Sequence, residues 1–147
     1  MKRRPAIPHS YRPAILYVIL DTILIGAGMG VPIFAILGGF VVGLFLPRYI
    51  PPEITNMQGI LKKAIRYSAL TSFVTMILMF AIWVSLLPML SDPKADFANF
   101  GIPMILFEPR ASFIGWIVLM IVISPFLQFL TTLFGAVISL IRKPVTE

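Results

Sequence analysis

The residue best placed to do chemistry is Asp21, because it is the only acidic or basic side chain in the 33 residues from 14 to 46. A carboxylate at the centre of a transmembrane helix costs at least ~2.5–3.5 kcal/mol to insert, so such a group is expected to have a purpose. Three interpretations are open: a proton- or cation-coupling site, a protonated packing residue hydrogen-bonded to a neighbouring helix, or a contact with a partner subunit.

A second set of residues, four of them polar, lies on one face of a predicted C-terminal helix. Its members follow one another at steps of four, four, three and four residues: Ser124, Gln128, Thr132, Gly135 and Ser139. Gln128 falls at about the depth expected for Asp21, so the sequence predicts a hydrogen bond between these two side chains. The candidate intramembrane polar site comprises Asp21, Tyr17, Gln128, Thr132 and Thr75. These side chains either line a narrow polar cleft open to the cytoplasm or serve as hydrogen-bonding contacts between helices.

The sequence lacks most residue types on which enzymes and metal centres depend. It has no cysteine and a single histidine, His9, which excludes thiolate sites and a zinc site built on several imidazoles. No Gly-rich phosphate loop, G-x-S-x-G elbow or H-E-x-x-H motif occurs. We therefore predict a non-enzymatic protein that binds no cofactor and no metal.

Composition indicates that these polar residues are positioned by helices in lipid. Of the 147 residues, 59% are hydrophobic and 12% charged, whereas soluble domains carry about 25% charged residues. We predict one all-α domain, an integral membrane bundle of four transmembrane helices at about residues 11–28, 32–46, 67–87 and 111–141. The first two helices would fold back on each other at residues 28–32. A single helix kinked at Pro32 would instead be about 50 Å long, more than the ~30 Å hydrocarbon core.

The basic residues favour four crossings over three. With four crossings, ten of the twelve Lys and Arg residues lie on one side and only Lys94 and Arg110 on the other. With a single crossing for residues 14–46, the division becomes six and six. Because basic loops face the cytoplasm, we predict a multi-pass protein of a bacterial or archaeal cell (inner) membrane with both termini cytoplasmic.

Tyrosine and tryptophan positions agree with this arrangement. The tyrosines near the expected cytoplasmic edge are Tyr11, Tyr49 and Tyr67, and the tryptophans near the outer edge are Trp83 and Trp116. Aromatic residues of this kind mark the two membrane interfaces. The alternative is that they are ordinary core aromatics.

Two further patterns concern helix placement. After Pro52, apolar residues recur at helical spacing, at Ile54, Met57, Leu61 and Ile65. This pattern predicts a short cytoplasmic amphipathic helix between spans two and three, able to run straight into span three. Pro125, in the middle of the fourth span, predicts a kink there.

Small residues on the second span form a series at four-residue spacing: Ala35, Gly39 and Gly43. Such a series lets another helix backbone come close. The nearest candidate for that helix is the first span, and a second copy of the protein is the alternative.

These features support two hypotheses about function, and a membrane-bound enzyme is a third, remote option. The first is a non-enzymatic subunit or scaffold that associates with itself or with a larger membrane complex, with the lipid bilayer as its surroundings. The second is a small, oligomeric proton-coupled transporter or channel that uses Asp21. Nucleic acid is not an expected partner, because the basic residues lie between apolar spans. An enclosed Asp21 bonded to Gln128 or a threonine would favour the first hypothesis, and a water-accessible cavity the second.

Overall fold

The computed structural model describes residues 12–50, 56–101 and 103–142, and every regular element in these ranges is helical. The α-helices are α1 (Arg12–Ala27), α2 (Ile33–Phe45), α3 (Met57–Trp83), α4 (Pro109–Val118) and α5 (Ser124–Arg142). A single π-helical segment in these ranges, Leu119–Ile123, joins α4 to α5, so the described residues form four helical rods. The predicted all-α fold class is confirmed.

The chain reverses between α1 and α2 at the predicted place. The Met29 N–H donates to the Gly26 carbonyl (3.0 Å) and the Gly30 N–H donates to the Ile25 carbonyl (3.1 Å). These two bonds form a Schellman motif, in which the residue after the helix cap takes a left-handed conformation. Here that residue is Met29, with φ 54°, and Gly30 follows with φ 82°. Residues 14–46 therefore form two helices, and the single kinked helix is excluded.

The second helix continues beyond its α-helical part. Pro47 does not end the helical rod, because a 3₁₀ segment, Leu46–Tyr49, follows α2 directly. A 3₁₀-helix rises ~2.0 Å per residue, more than the ~1.5 Å of an α-helix. The rod from Ile33 to Tyr49 therefore reaches about 28 Å in length, close to the thickness of a hydrocarbon core.

The predicted short amphipathic helix before span three is not a separate element. The α3 helix begins at Met57, where the Asn56 side chain accepts a hydrogen bond from the Gly59 N–H (2.7 Å), and it runs without a break to Trp83. Its first turns contain the amphipathic segment, since nothing in the sequence there breaks a helix. The start near Pro52 falls outside the described residues.

The loop between α3 and α4 packs on the end of α4. A 3₁₀ segment, Val84–Ser91, extends α3, and the rings of Phe97 and Phe100 lie 5.0 and 5.3 Å from the ring of Phe113. The Ser112 hydroxyl donates to the Leu106 carbonyl (2.9 Å) and accepts from the Leu106 N–H (2.8 Å). This apolar loop therefore covers the helix end.

Near Pro125 the predicted irregularity takes the form of a widened turn. The Ser124 N–H donates to the Leu119 carbonyl, five residues back, and the Ser124 hydroxyl donates to the same oxygen at 2.8 Å. Proline carries no N–H to continue the α-helical pattern, and a π turn is one of the known responses. The Pro125 carbonyl in turn accepts a 2.5 Å hydrogen bond from Ser72 of α3.

Contacts between helices fix their relative directions. Tyr17 and Asp21 of α1 meet Thr71 and Thr75 of α3 in the same order, so these two helices are parallel. The α2 and α5 helices are also parallel, since Ile36 meets Thr131 and Gly43 meets Ala136. By contrast, α3 is antiparallel to α4–α5, because Ser72 meets Pro125 whereas the earlier Ala64 shares a cluster with the later Ala136. With α1 and α2 reversed at residues 28–32, consecutive rods run in alternating directions.

Apolar side chains cover much of the outer surface. The helices Met57–Ser91 (35 residues) and Pro109–Ile141 (33 residues) are long and apolar enough to cross a membrane, and α1 and α2 are shorter apolar helices. Leu16, Leu37, Leu70 and Phe134, one from each rod, are between 56% and 64% exposed. Such a surface suits a protein in contact with lipid.

Candidate functional site

The predicted hydrogen bond between Asp21 and Gln128 is present. Asp21 lies in α1 with 1% of its surface exposed, and the Gln128 Nε2 of α5 donates to its Oδ1 at 3.2 Å. The Thr75 hydroxyl of α3 donates to its Oδ2 at 2.5 Å. Each oxygen of the carboxyl group is therefore held by a different helix.

Tyr17 extends this arrangement by one turn of α1. Its hydroxyl accepts a hydrogen bond from the Gln128 Nε2 at 2.6 Å and donates to the Thr71 carbonyl at 3.3 Å. The amide nitrogen of Gln128 therefore bridges Tyr17 and Asp21. We call Tyr17, Asp21, Thr75 and Gln128 the Asp21 cluster, and it joins α1, α3 and α5.

The hydroxyl of Thr75 has two acceptors but only one proton to give. Besides the Asp21 carboxyl oxygen, the Thr71 carbonyl lies 3.3 Å away. A neutral Asp21 would donate its own proton to the Thr75 oxygen and free the Thr75 proton for the Thr71 carbonyl. In that state the cluster satisfies these groups without placing a net charge inside the protein.

Two buried polar atoms in the described part of the chain lack a hydrogen-bond partner, the Gln128 Oε1 and the Ser68 hydroxyl. Gln128 is 1% exposed and Ser68 is 0% exposed. Buried polar atoms are usually hydrogen-bonded, and a free carbonyl-type acceptor is a point at which a further donor can be received.

Thr132 does not belong to the Asp21 cluster, although the sequence placed it in the same site. Its hydroxyl donates to the Gln128 backbone carbonyl at 2.8 Å and lies against Gly39 of α2. Successive steps of four residues rotate a helix face by about 40°, because an α-helix turns by 100° per residue. Both side chains pass near Gly39, but only the Gln128 amide group reaches Tyr17 and Asp21 of α1.

Gly39 and Gly43 of α2 contact α5 rather than the first helix, whereas Ala35 shares a buried cluster with Ile25 of α1. A β-carbon on Gly43 would lie 2.1 Å from the Thr132 carbonyl oxygen, and one on Gly135 would lie 2.3 Å from the Phe40 carbonyl oxygen. The two backbones are therefore in direct contact. Of the glycines on α2, the one that faces α1 is Gly38, where Leu24 is the nearest side chain.

Sequence reasoning missed Thr131 at this interface. Its hydroxyl donates to the Ile36 carbonyl of α2 at 2.8 Å and contacts the Gln128 carbonyl at 3.0 Å. In the sequence, the only indication was that Thr131 is adjacent to Thr132, and the sequence does not show which helix packs against α5. Thr131 thus contributes a polar contact to an interface that is otherwise formed by backbone and small side chains.

The tryptophans lie at the end of the molecule that holds the α1–α2 turn. The Trp83 indole donates to the Gly30 carbonyl at 3.2 Å, and the Trp116 indole donates to the Pro103 carbonyl at 2.7 Å. Both rings pack against a buried cluster that includes Ile25 and Met79. They join helix ends to adjacent loops, with an apolar body and a polar tip.

Neither the described side chains nor similarity to known proteins assigns a chemical activity. No group of three or more His, Cys, Asp or Glu residues in the described ranges could hold a metal ion. No family model matches the chain, and comparisons with curated proteins and with solved structures find no similar protein. Function must therefore be argued from the geometry of the site itself.

Proposed function

We propose that the chain is a small, non-enzymatic membrane protein that acts as a subunit or scaffold, associating with itself or with a larger membrane complex. The observation that carries this proposal is the enclosure of Asp21, whose two carboxyl oxygens are bonded by side chains from two other helices. The only acidic residue in the first two rods is thereby engaged in holding the bundle together. These contacts explain why Asp21 is present without requiring a water-accessible cavity that reaches it.

The proposal includes four membrane crossings. The α1 helix has 16 residues and is about 24 Å long, and the rod from Ile33 to Tyr49 is about 28 Å long. Both lengths suit a hydrocarbon core of ~30 Å once flanking residues reach the interface. Alternating rod directions support a topology in which residues 28–32 and the loop before α4 lie on one side of the membrane and the basic segments lie on the other. The positive-inside rule makes the basic side cytoplasmic.

Because the chain has no cysteine, this topology can be tested by labelling introduced cysteines with no background from native thiols. Single cysteines replace Met29, Met57 and Ala98 in turn, all of which are exposed. A thiol reagent that does not cross membranes should label positions 29 and 98 in intact cells and position 57 only after permeabilisation. Labelling of positions 29 and 57 from the same side would exclude four crossings.

Association is tested separately. Chemical cross-linking in native membranes, followed by isolation in a mild detergent, should return either a homo-oligomer or a complex with a reproducible partner. Light scattering of the isolated species gives its mass. Isolation of the monomer alone, with no partner at any detergent concentration, would contradict the scaffold proposal.

The free acceptor on Gln128 gives a second candidate function some support. A buried carboxyl group beside a tyrosine and an unpartnered acceptor is a combination on which a proton-coupled transporter or channel could depend. Asp21→Asn separates the two candidates, because the amide can donate to Thr75 and accept from Gln128 as a neutral Asp21 would. In sealed vesicles, a transporter would lose its proton flux with this substitution. A scaffold would keep the mass of its complex, and its free energy of unfolding would change by no more than about 1 kcal/mol.

A further inference from the structure

The outer face of α3 carries a groove of about 620 Å³ whose lining changes in character along the helix. At one end are Lys63 and Arg66, Tyr67 lies in the middle, and Ala69, Leu70 and Phe73 follow. From Lys63 to Phe73 there are ten residue steps, which is about 15 Å along an α-helix. That length equals half of a ~30 Å hydrocarbon core, or one leaflet.

The charge in this groove has one sign. Lys63 is half-buried and Arg66 is exposed, and the sequence of α3 from Met57 to Trp83 contains no acidic residue. Tyr67 packs against a buried cluster that includes Ala64 and Ala136, and along α3 it lies between the two cations and the apolar residues of the groove. A ligand for this surface should have an anionic head and an apolar tail.

We propose that the groove binds an anionic phospholipid of the cytoplasmic leaflet. The headgroup phosphate lies between the Lys63 ammonium and the Arg66 guanidinium, and one acyl chain follows Ala69, Leu70 and Phe73. Basic side chains at the cytoplasmic end of a membrane helix attract anionic lipids, and the guanidinium group matches phosphate geometry. The position of the groove relative to the leaflet rests on the topology proposed above.

An experiment can distinguish lipid binding in the groove from general attraction of lipid by the basic residues at this end of the molecule. The purified full chain in a neutral detergent is titrated with phosphatidylglycerol or phosphatidylcholine, and bound lipid is counted by native mass spectrometry. One basic residue near a membrane surface contributes about a fivefold change in binding. Lys63→Gln with Arg66→Gln should therefore weaken phosphatidylglycerol binding about 25-fold and leave phosphatidylcholine binding unchanged.

The matched control removes two cations from the same end of the molecule but outside the groove. Arg48→Gln with Lys62→Gln alters the net charge equally, and neither residue lines the groove. This control should change phosphatidylglycerol binding by less than about fivefold. Equal losses in the two double variants would overturn the proposal, because general charge attraction would then explain the binding.

A third variant tests the acyl-chain part while keeping all charges. Ala69→Phe fills the apolar end of the groove and should lower phosphatidylglycerol binding although both cations remain. Unchanged binding by this variant would overturn the proposed lipid pose. So would a second protein copy in the groove, detected as lipid-free dimers that Ala69→Phe dissociates. The labelling of positions 29, 57 and 98 reports on topology independently, so failure of the groove and failure of the four-crossing proposal give different results.

Discussion

The α5 helix is held by two interfaces of opposite character. Against α2 it presents glycine and threonine, and the two backbones touch at Gly43 and Gly135. Against α1 and α3 it presents Gln128, whose amide group bonds Tyr17 and Asp21. The first interface depends on the absence of side chains, and the second depends on particular side-chain atoms.

This difference has a physical reason. In the lipid surroundings proposed above there is little hydrophobic gain from bringing two apolar helices together, so association depends on close packing and on hydrogen bonds. Close packing of backbones fails abruptly when a methyl group is inserted, because a backbone carbonyl cannot move aside. A hydrogen-bonded cluster loses strength in smaller steps, since its members have alternative partners such as the Thr71 carbonyl. We therefore expect a methyl group inserted between the α2 and α5 backbones to have a larger effect than any single substitution in the Asp21 cluster.

The largest effect is expected from Gly43→Ala. The added β-carbon would lie 2.1 Å from the Thr132 carbonyl oxygen, so α2 and α5 must separate. Overpacking typically lowers the free energy of unfolding by about 1–3 kcal/mol, and a rigid backbone obstacle places this variant at about 3 kcal/mol or above. Tryptophan fluorescence during denaturation in mixed micelles measures the change.

Gly26→Ala is the matched control for this substitution. A β-carbon on Gly26 meets no atom within 4 Å, so the added methyl group enters open space in α1. Alanine is a better helix former than glycine by about 1 kcal/mol, so this variant should be as stable as the parent or more so. Equal destabilisation by both substitutions would show that the loss in Gly43→Ala does not come from the contact between the α2 and α5 backbones.

The next largest effect is expected from Gln128→Leu. This change removes the donor to both Tyr17 and Asp21 and leaves a buried carboxyl group with Thr75 alone. Loss of a partner from a buried polar group lowers stability by about 1–3 kcal/mol. The same denaturation experiment measures it. Gln58→Leu, an identical change at an exposed position of α3, should stay within about 0.5 kcal/mol of the parent.

The positions of the helices and of the Asp21 cluster could be predicted from sequence because both depend on local patterns and depth. Glycines and Pro32 located the turn, and distances from the span ends placed Asp21 and Gln128 at one level. A carboxyl group and an amide group at the same depth in a small bundle have few other partners. The Asp21–Gln128 bond was therefore predicted correctly.

The partner of the α2 glycines could not be predicted, because four-residue spacing shows which side chains share a face and not which helix that face meets. Neighbours in sequence suggested α1, whereas the parallel α5 helix occupies the site. Thr132 was misplaced for a related reason, since the polar face of α5 rotates between Gln128 and Thr132. The absence of a separate amphipathic helix reflects a third ambiguity, because an amphipathic segment without a breaker can continue into the following span.

A smaller effect is expected from Thr75→Val, which keeps the shape of the side chain and removes its hydroxyl. Asp21 loses the bond to its Oδ2, while Gln128 still donates to its Oδ1. We expect a loss of about 1 kcal/mol in the free energy of unfolding, with recovery in Thr75→Ser. Thr22→Val is the control, since the exposed Thr22 hydroxyl bonds only the Val18 carbonyl of its own helix. If Thr22→Val lowers the free energy of unfolding as much as Thr75→Val does, the bond to Asp21 contributes nothing to stability.

The smallest effect is expected from Thr131→Val at the α2–α5 interface. The Thr131 hydroxyl donates to the Ile36 carbonyl at 2.8 Å, and such contacts between membrane helices contribute about 0.6 kcal/mol. The two backbones remain in contact at Gly43 and Gly135 without it, so the interface should keep most of its strength. Denaturation of Thr131→Val beside Thr75→Val compares one hydroxyl at each interface of the bundle. A larger loss from Thr131→Val would reverse the expected order and show that α2 and α5 also depend on a side-chain hydrogen bond.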